Sequence, residues 1–407
     1  MPKLVILQLL LNSMFRTQQQ RRKKQIVKLS AGLRFVLLVL FSVTFAVPAW
    51  AQESSEIIEQ AKKKIESEDY DGAFAILTSA IRETPGNPQL FFERGKLKFM
   101  FQDYYGAAGD FGFAIELDTA FAEAYNQRGL AIHYNGDPEL ALEDFDIAIK
   151  INPDFADAYS NRGFALYALG ANEDAYFDFS KAIELEPQNA DLYYNRGFVR
   201  LDLGEFVGSI DDFNRSIALD SLDPEAYKLR ADAEYQIGAL ESSLRDYTMA
   251  IQLDSLDELK FASRALVYSE LEKYEEAVSD YTVAIQLYEK EYEPGPELYN
   301  LRGVVYYTAQ KYDEAIEDYT AAIDIEPSAP LLYENRAAAY FDNGKYKEAE
   351  QDYTIAIDLN PEDPENYYFR SQVKFEMGNK LDGCLDLNQA VELGLTDARK
   401  ELKEKCK

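Results

Sequence analysis

Along most of this chain, apolar and polar residues have the spacing of amphipathic helices, and the pattern recurs in blocks of 34 residues. Within a block, apolar residues three or four positions apart define two helical segments. A glycine or a short polar turn separates the segments, as at Gly136 and Gly170, and prolines such as Pro153 and Pro187 end their blocks. The pattern therefore predicts a succession of helix pairs and no strands.

Residues of the same type or size recur at fixed positions in each block. An arginine recurs every 34 residues, with one interval of 38 before Arg302, and a small residue follows each arginine. A second small residue, an aromatic residue and a third small residue then recur at constant spacing. Small residues let two helices approach closely while the aromatic ring fills the neighbouring space. Because one helix pair cannot bury its own apolar face, neighbouring blocks must stack.

This arrangement resembles the tetratricopeptide repeat, and one block shows it in full with Tyr159, Gly163, Ala175, Phe179, Ala182 and Pro187. The resemblance implies an all-α, right-handed α-solenoid of about ten tandem helix-turn-helix units. The predicted units are 54–87, 88–121, 122–155, 156–189, 190–223, 224–257, 258–291, 296–329, 330–363 and 364–397. Residues 397–407 are predicted to form a C-terminal capping helix.

Charge is divided unevenly along the chain. Of its 42 Lys and Arg residues, eight lie in residues 1–51, which contain no Asp or Glu. The other 356 residues carry 34 basic and 72 acidic side chains, a net charge of about −38. Such a body repels nucleic acid and anionic lipid, which we exclude as direct partners. The charge favours a basic or apolar protein segment as partner.

Residues 1–51 have the three-part pattern of a secretion signal. A basic segment at 21–34 precedes the apolar run 35–47, and Ala49 and Ala51 match the small-residue cleavage rule. The run is shorter than the roughly 20 apolar residues of a membrane helix. We therefore predict a secreted or periplasmic protein, cleaved after Ala51. An uncleaved segment that anchors the chain in a membrane is the alternative.

An arginine and an aspartate sixteen residues later occur together in nine units, and the first unit lacks both. If each aspartate paired with the arginine of the following unit, Arg94 and Asp386 would have no partners. The sequence thus predicts structural ion pairs within units, among them Arg94–Asp110, Arg128–Asp144, Arg162–Asp178 and Arg196–Asp212. The alternative is that these arginines bind an anionic ligand.

No motif for catalysis, for a cofactor or for a metal is present in the sequence. The single histidine, His133, lies near no nucleophile signature. The two cysteines, Cys384 and Cys406, do not have zinc-site spacing, and their pairing is left open. We predict a binding protein that is not an enzyme and uses no cofactor.

By resemblance, the first helix of each unit lines a concave groove that binds a partner. The candidate groove residues are Asn126, His133, Asn161, Phe164, Tyr167, Asn195, Phe198, Tyr235, Asn300, Tyr307, Asn335 and Phe341. Most units carry an acidic residue at the second position, so the predicted groove is acidic as well as aromatic. We expect a scaffold that binds protein or peptide. The alternatives are a carbohydrate-binding accessory protein in polysaccharide export or cell-wall turnover, and a core role for some of the aromatic residues.

Overall fold

The computed structural model describes residues 49–407, and within this range the chain forms 21 helices and no strand. The basic segment and the apolar run of the predicted signal lie outside the described residues. In the described part, no helix combines the length and apolar character that a membrane crossing requires. The chain divides into two compact units at Ser221 and Leu222.

The first unit contains five helix pairs in which each helix packs on the next along the chain. The pairs are α1 (Ala49–Glu66) with α2 (Tyr70–Glu83), α3 (Pro88–Met100) with α4 (Tyr104–Leu117), α5 (Ala122–Tyr134) with α6 (Pro138–Ile151), α7 (Ala156–Ala168) with α8 (Asn172–Leu185), and α9 (Ala190–Asp202) with α10 (Phe206–Leu219). Odd-numbered helices are the first helices of their pairs.

The second unit contains five more pairs and a terminal helix. The pairs are α11 (Pro224–Gln236) with α12 (Leu240–Leu253), α13 (Glu258–Glu270) with α14 (Tyr274–Glu291), α15 (Pro296–Thr308) with α16 (Tyr312–Ile325), α17 (Pro330–Asp342) with α18 (Tyr346–Leu359), and α19 (Pro364–Glu376) with α20 (Lys380–Glu392). Helix α21 (Ala398–Lys405) follows. The predicted all-α architecture of tandem helix pairs is confirmed.

The turn inside a pair requires one residue in the left-handed region of backbone space. Gly170 occupies it with a φ of 81°, and glycines hold the same place in most pairs. Four residues with a side chain stand there instead: Glu68, Gln102, Glu272 and Gln310, with φ of 59°, 62°, 58° and 60°. A residue with a Cβ pays roughly 1 kcal/mol for this conformation, so these four turns are strained sites in the framework.

The core is built from the small and aromatic residues that set the sequence register. Phe145 and Tyr319 are buried against Gly129 and Gly303 respectively. A Cβ on Gly303 would lie 2.7 Å from the Tyr319 ring, closer than real Cβ contacts. The glycine therefore lets the first helix of the pair sit against the ring of the second.

The C-terminal helix α21 is fixed to the last pair by a disulfide bond between Cys384 of α20 and Cys406. Lys405 donates a hydrogen bond from Nζ to Oε1 of Gln372 on α19 at 3.0 Å. Ala398 at the start of α21 is fully buried. The helix thus covers the exposed end of the tenth pair, and the disulfide restrains this helix rather than the stack as a whole.

Candidate functional site

Each of the nine arginines of the sequence series forms a two-bonded ion pair with the aspartate sixteen residues later. Arg94 donates from Nε and Nη2 to Asp110 at 2.8 and 2.7 Å, and Arg128 contacts Asp144 at 2.8 and 2.6 Å. The other pairs are Arg162–Asp178, Arg196–Asp212, Arg230–Asp246, Arg264–Asp280, Arg302–Asp318, Arg336–Asp352 and Arg370–Asp386. The aspartates are buried, so the pairs join the two helices of one repeat.

The remaining guanidinium nitrogen often reaches the preceding repeat. In most cases Nη1 donates to a hydroxyl, as from Arg336 to Thr320 at 3.0 Å. Arg162 differs, because its Nη1 donates to the carboxylate of Asp146 at 2.6 Å. The guanidinium nitrogens of these arginines donate their hydrogen bonds to other residues of the fold. This favours a structural role for the arginines over the binding of an anionic ligand.

The first helices of neighbouring repeats meet through side chains at the predicted groove positions. Asn161 donates from Nδ2 to Oδ1 of Asn126 at 3.0 Å, and Asn335 donates in the same way to Asn300 at 2.9 Å. Asn126, Asn300 and Asn335 are buried, while Asn161 and Asn195 are half-buried. In each compact unit, the first-helix face denotes the second, fifth, ninth, twelfth and thirteenth positions of the repeats, counted over repeats two to ten. Asn126 and Asn300 lie at the fifth position, and the asparagines that donate to them stand beside this face, at the sixth.

Tyrosines on the first-helix face are paired with acids of the next repeat. The hydroxyl of Tyr167 donates to Asp202, and that of Tyr307 donates to Asp342 at 2.5 Å. Burial and, next, the charge of Glu270 raise the pKa of Tyr235 to about 12. Each acid stands 35 residues after its tyrosine. This spacing is present in the sequence but joins residues of two repeats, so patterns within a single repeat do not reveal it.

The other candidate aromatic residues are partly core. Phe164 packs edge-on against the buried Phe179, and Phe198 is buried against Tyr167. Phe341 is half-buried against Tyr346. Tyr167 and Phe198 therefore offer little ring surface to a ligand, whereas Phe164 and Phe341 present one edge.

His133 is half-buried beside Tyr134, and burial lowers its pKa. Its Nδ1 has no hydrogen-bond partner among the described residues. Across the same residues, no group of three or more His, Cys, Asp or Glu side chains is arranged to hold a metal ion. The imidazole therefore stands apart from any charge relay or metal set in residues 49–407.

Two buried lysines form a cluster that sequence reasoning did not find. Lys260 is fully buried and contacts Glu225 at 3.0 Å and Asp254 at 2.6 Å. Lys228 lies 3.6 Å from the second oxygen of Glu225. The only signal in the sequence was Lys228, which stands at the fifth position of its repeat, where two other repeats carry asparagine. The carboxylates neutralise both lysines inside the fold.

The sequence profile of the tetratricopeptide repeat decides the family. Profiles described as "TPR repeat" and "Tetratricopeptide repeat" match residues 131–170, 165–204 and 303–344, then 330–363 and 261–291. The matched segments fall in both compact units and lie within the run of helix pairs described above. The chain is a tetratricopeptide-repeat protein. Its repeats are those of protein-interaction scaffolds. The comparison with curated proteins found no match to this chain.

Solved structures similar to this chain include two that are described as tetratricopeptide-repeat proteins, and yeast Tom70. YrrB, described as having an unusual peptide-binding site, is 24% identical over 44% of this chain and 93% of its own, with a TM-score of 0.41. A protein of Parabacteroides merdae is 20% identical over 62% of this chain and 99% of its own, with a TM-score of 0.46. Yeast Tom70 is 14% identical over 88% of this chain and 94% of its own, with a TM-score of 0.37. These are likenesses of fold alone.

Proposed function

We propose that this tetratricopeptide-repeat protein is an exported scaffold, not an enzyme, that binds a basic extended segment of another protein along the first-helix face. The proposal rests on one observation, the charge of that face. Positive side chains of a partner would meet carboxylates held at regular intervals by the repeat, which is how electrostatic complementarity gives specificity and fast association.

The first-helix face carries twelve acidic residues and two lysines. The acids are Glu123, Asp157, Asp191, Asp202, Glu225, Asp232, Glu270, Glu297, Glu334, Asp342, Glu365 and Glu376. Of the two lysines, Lys228 is buried and Lys96 is paired with Glu93 at 3.0 Å. Of the acids, Asp232 is buried and Glu225 contacts Lys228 and Lys260, and the others make almost all the charge that this face presents to solvent negative in each of the two compact units.

Several acids of the face are fixed by neighbouring side chains. Tyr167 and Tyr307 hold Asp202 and Asp342 by hydrogen bonds, and Asn366 donates to Glu334 at 2.8 Å. A carboxylate held in one place loses less conformational freedom when a partner binds. The half-buried aromatic edges between the acids supply apolar surface for the stems of Lys and Arg side chains.

Export is supported by two separate features. The basic, apolar and small-residue segments at 1–51 follow the order of a secretion signal. The disulfide between Cys384 and Cys406 is of the kind that forms and persists in the periplasm or outside the cell. We propose the periplasm or the exterior as the location, with Gln52 as the first residue of the mature chain. Edman sequencing of the exported protein tests this, and an N-terminus upstream of Ala51 would contradict cleavage there.

The binding claim is tested by affinity capture with the mature chain from an envelope extract, repeated with neutralised variants. Glu297→Gln, Asp342→Asn and Glu365→Gln together remove three charges from the first-helix face. A matched control removes three exposed acids from second helices, Glu276→Gln, Glu317→Gln and Glu348→Gln. The proposal predicts that partner capture falls for the first variant and persists for the control.

Salt provides the second arm of the same experiment. Exposed charge pairs separated by more than about 8 Å are screened at 0.15 M ionic strength, so partner affinity should fall as salt rises and fall less steeply for the neutralised variant. Equal capture by both variants at every salt concentration would contradict the proposal.

The carbohydrate alternative depends on aromatic rings that are open to solvent. Tyr167 and Phe198 are buried, and Tyr307 uses its hydroxyl on Asp342. The structure therefore gives this alternative less support than the protein-binding one. Glycan-array binding that is lost on Tyr307→Ala but not on neutralisation of the acids would reverse that order.

A further inference from the structure

Helices α6, α7 and α8 of the third and fourth repeats line an open pocket, and none of its lining residues belongs to the first-helix face. Its volume is about 380 Å³. Leu142 and Asp146 of α6, Arg162 and Leu166 of α7, and Asp174, Phe177 and Asp178 of α8 line it. All of these residues belong to the first compact unit. The pocket thus combines two aliphatic side chains, one exposed ring, one guanidinium and three carboxylates.

Two of the lining residues depart from the repeat pattern, and both departures fall in this pocket. Where Arg162 reaches Asp146, five other arginines of the series reach a Thr or Ser sixteen residues before them, as Arg336 reaches Thr320. A hydroxyl therefore suffices to join one repeat to the one before it. The aspartate adds a negative charge that this structural role does not require.

Phe177 is the second departure. Its side chain is 66% exposed. The same position in other repeats is mostly small or polar: Gly109, Glu143, Asp211, Arg245, Ser279, Glu317 and Gln351, with Leu385 in the last repeat. No other repeat places an aromatic ring there, so the stacking of repeats does not account for it. An exposed ring beside surplus carboxylates has the composition of a site for an organic cation.

The charges of the pocket do not cancel. Arg162 donates two hydrogen bonds to Asp178, both at 2.7 Å, and one to Asp146 at 2.6 Å. One positive charge thus meets three negative ones, counting the exposed Asp174. Asp146 is 62% exposed in its side chain, so it can accept further hydrogen bonds from a ligand while it holds Arg162.

We propose that this pocket binds an arginine or lysine side chain of a partner polypeptide. The cationic group would lie over the Phe177 ring and contact Asp146 and Asp174, with its aliphatic stem against Leu142 and Leu166. The inference rests on the proposed function, since it gives the basic partner a second point of attachment. Two sites on one chain raise the overall affinity through effective concentration without further contacts at either site.

The test uses a fluorescein-labelled peptide, Gly-Gly-Arg-Gly-Gly, and a twin with citrulline in place of arginine, which has nearly the same shape and no charge. Anisotropy titrations compare the mature chain with Asp146→Thr, which keeps a hydroxyl for Arg162, and Phe177→Gln, the residue of the ninth repeat. Both replacements are residues that other repeats carry at these places, so folding should be retained, and circular dichroism checks it. Glu317→Gln, at the position of Phe177 in the eighth repeat, removes one charge elsewhere as the matched control.

We expect the arginine peptide to bind and the citrulline twin to bind at least about fivefold more weakly. Each pocket variant should bind the arginine peptide about two- to fivefold more weakly, and the double variant about tenfold more weakly. These factors are those expected for an exposed cation–π contact and an exposed ion pair. The control should bind like the parent chain. Equal binding by the double variant, equal binding of the citrulline twin, or preferential binding of a neutral oligosaccharide would each overturn the proposal.

The two proposals fail in different ways. If the pocket variants bind the peptide normally while the first-helix variants lose the captured partner, the pocket proposal is wrong and the proposed function stands. If the pocket variants lose the peptide while neutralising the first-helix face leaves partner capture unchanged, the pocket binds a cation and the proposed groove function is wrong.

Discussion

The ion pair between Arg336 and Asp352 shows how strongly the repeats depend on charges inside them. Arg336 donates to the two oxygens of Asp352 at 2.7 and 2.9 Å, and their side chains are 15% and 5% exposed. Burial lowers the pKa of Arg336, but the bond to Asp352 outweighs it, and the pKa lies above its ordinary value. The guanidinium of Arg336 is thus charged throughout the physiological range.

Asp352→Ala should lower the free energy of unfolding by about 3 kcal/mol. Removing one partner of a buried pair costs roughly 3–5 kcal/mol, and the partial exposure of Arg336 places this case at the lower end. Arg336→Met should cost a similar amount. The double variant Arg336→Met with Asp352→Leu leaves no buried charge behind, so it should cost less than the sum of the single variants.

Urea denaturation followed by circular dichroism at 222 nm measures these changes, with the slope compared among variants because repeat arrays can unfold in parts. A control, Lys345→Ala, removes an exposed ion pair with Asp313 and should change the free energy of unfolding far less than Asp352→Ala does, because exposed pairs contribute little to stability. If Asp352→Ala matched this control, or if the single effects were additive, the reasoning about the buried pairs would be refuted.

Three further predictions concern the turn, the cap and pH. Gln310→Gly should stabilise the chain by about 0.5–1 kcal/mol, since the turn holds φ at 60°; thermal denaturation tests this, and no rise in Tm would count against backbone strain. Cys384→Ser should lower the stability of the C-terminal cap by about 3 kcal/mol for a closed loop of this length; unchanged proteolysis after α20 would argue against it. Burial, then the charge of Asp246, raises the pKa of Glu234 from 4.5 to about 7. The folded chain therefore binds this proton more tightly than the unfolded chain does, and stability should fall as pH rises from about 4.5 to 7. Glu234→Gln should flatten that part of the profile, and an unchanged slope would contradict the assignment.

The sequence was informative wherever one repeat could be compared with the next. The size pattern around Gly163, Ala175 and Phe179 specifies which helices approach closely, because a glycine or alanine is the only way to accommodate the ring. The joint absence of Arg and Asp from the first repeat was enough to place the charge pairs within repeats. Both inferences concern contacts inside one unit of the repeat.

Contacts between neighbouring repeats were harder to foresee. Tyr167 and Asp202 stand 35 residues apart, one more than the repeat length, so an alignment of equivalent positions does not place them side by side. The same geometry brings Asn126 to Asn161. The buried Lys260 was missed for another reason: its partners come from the loop before α13 and from the preceding repeat, and only the folded chain brings them together.

The sequence also did not predict which aromatic residues are buried in the core and which lie at the surface. Tyr167 and Phe341 occupy the same repeat position, yet Tyr167 is buried beside Phe198 while Phe341 is half-buried. The ninth position of the next repeat holds Phe198, which packs on Tyr167, in the first case and Gln372 in the second. Periodicity assigns a face to a residue but not the depth of its burial.

Hydroxyl-radical footprinting of the chain with its captured partner tests the central claim most directly. The account predicts that the partner lowers oxidation of Tyr307, Phe341 and Phe375 on the first helices of the second unit. Oxidation of Leu385, which is 63% exposed on the second helix α20, should stay unchanged. Protection of Leu385 without protection of the three aromatic residues would contradict binding on the first-helix face.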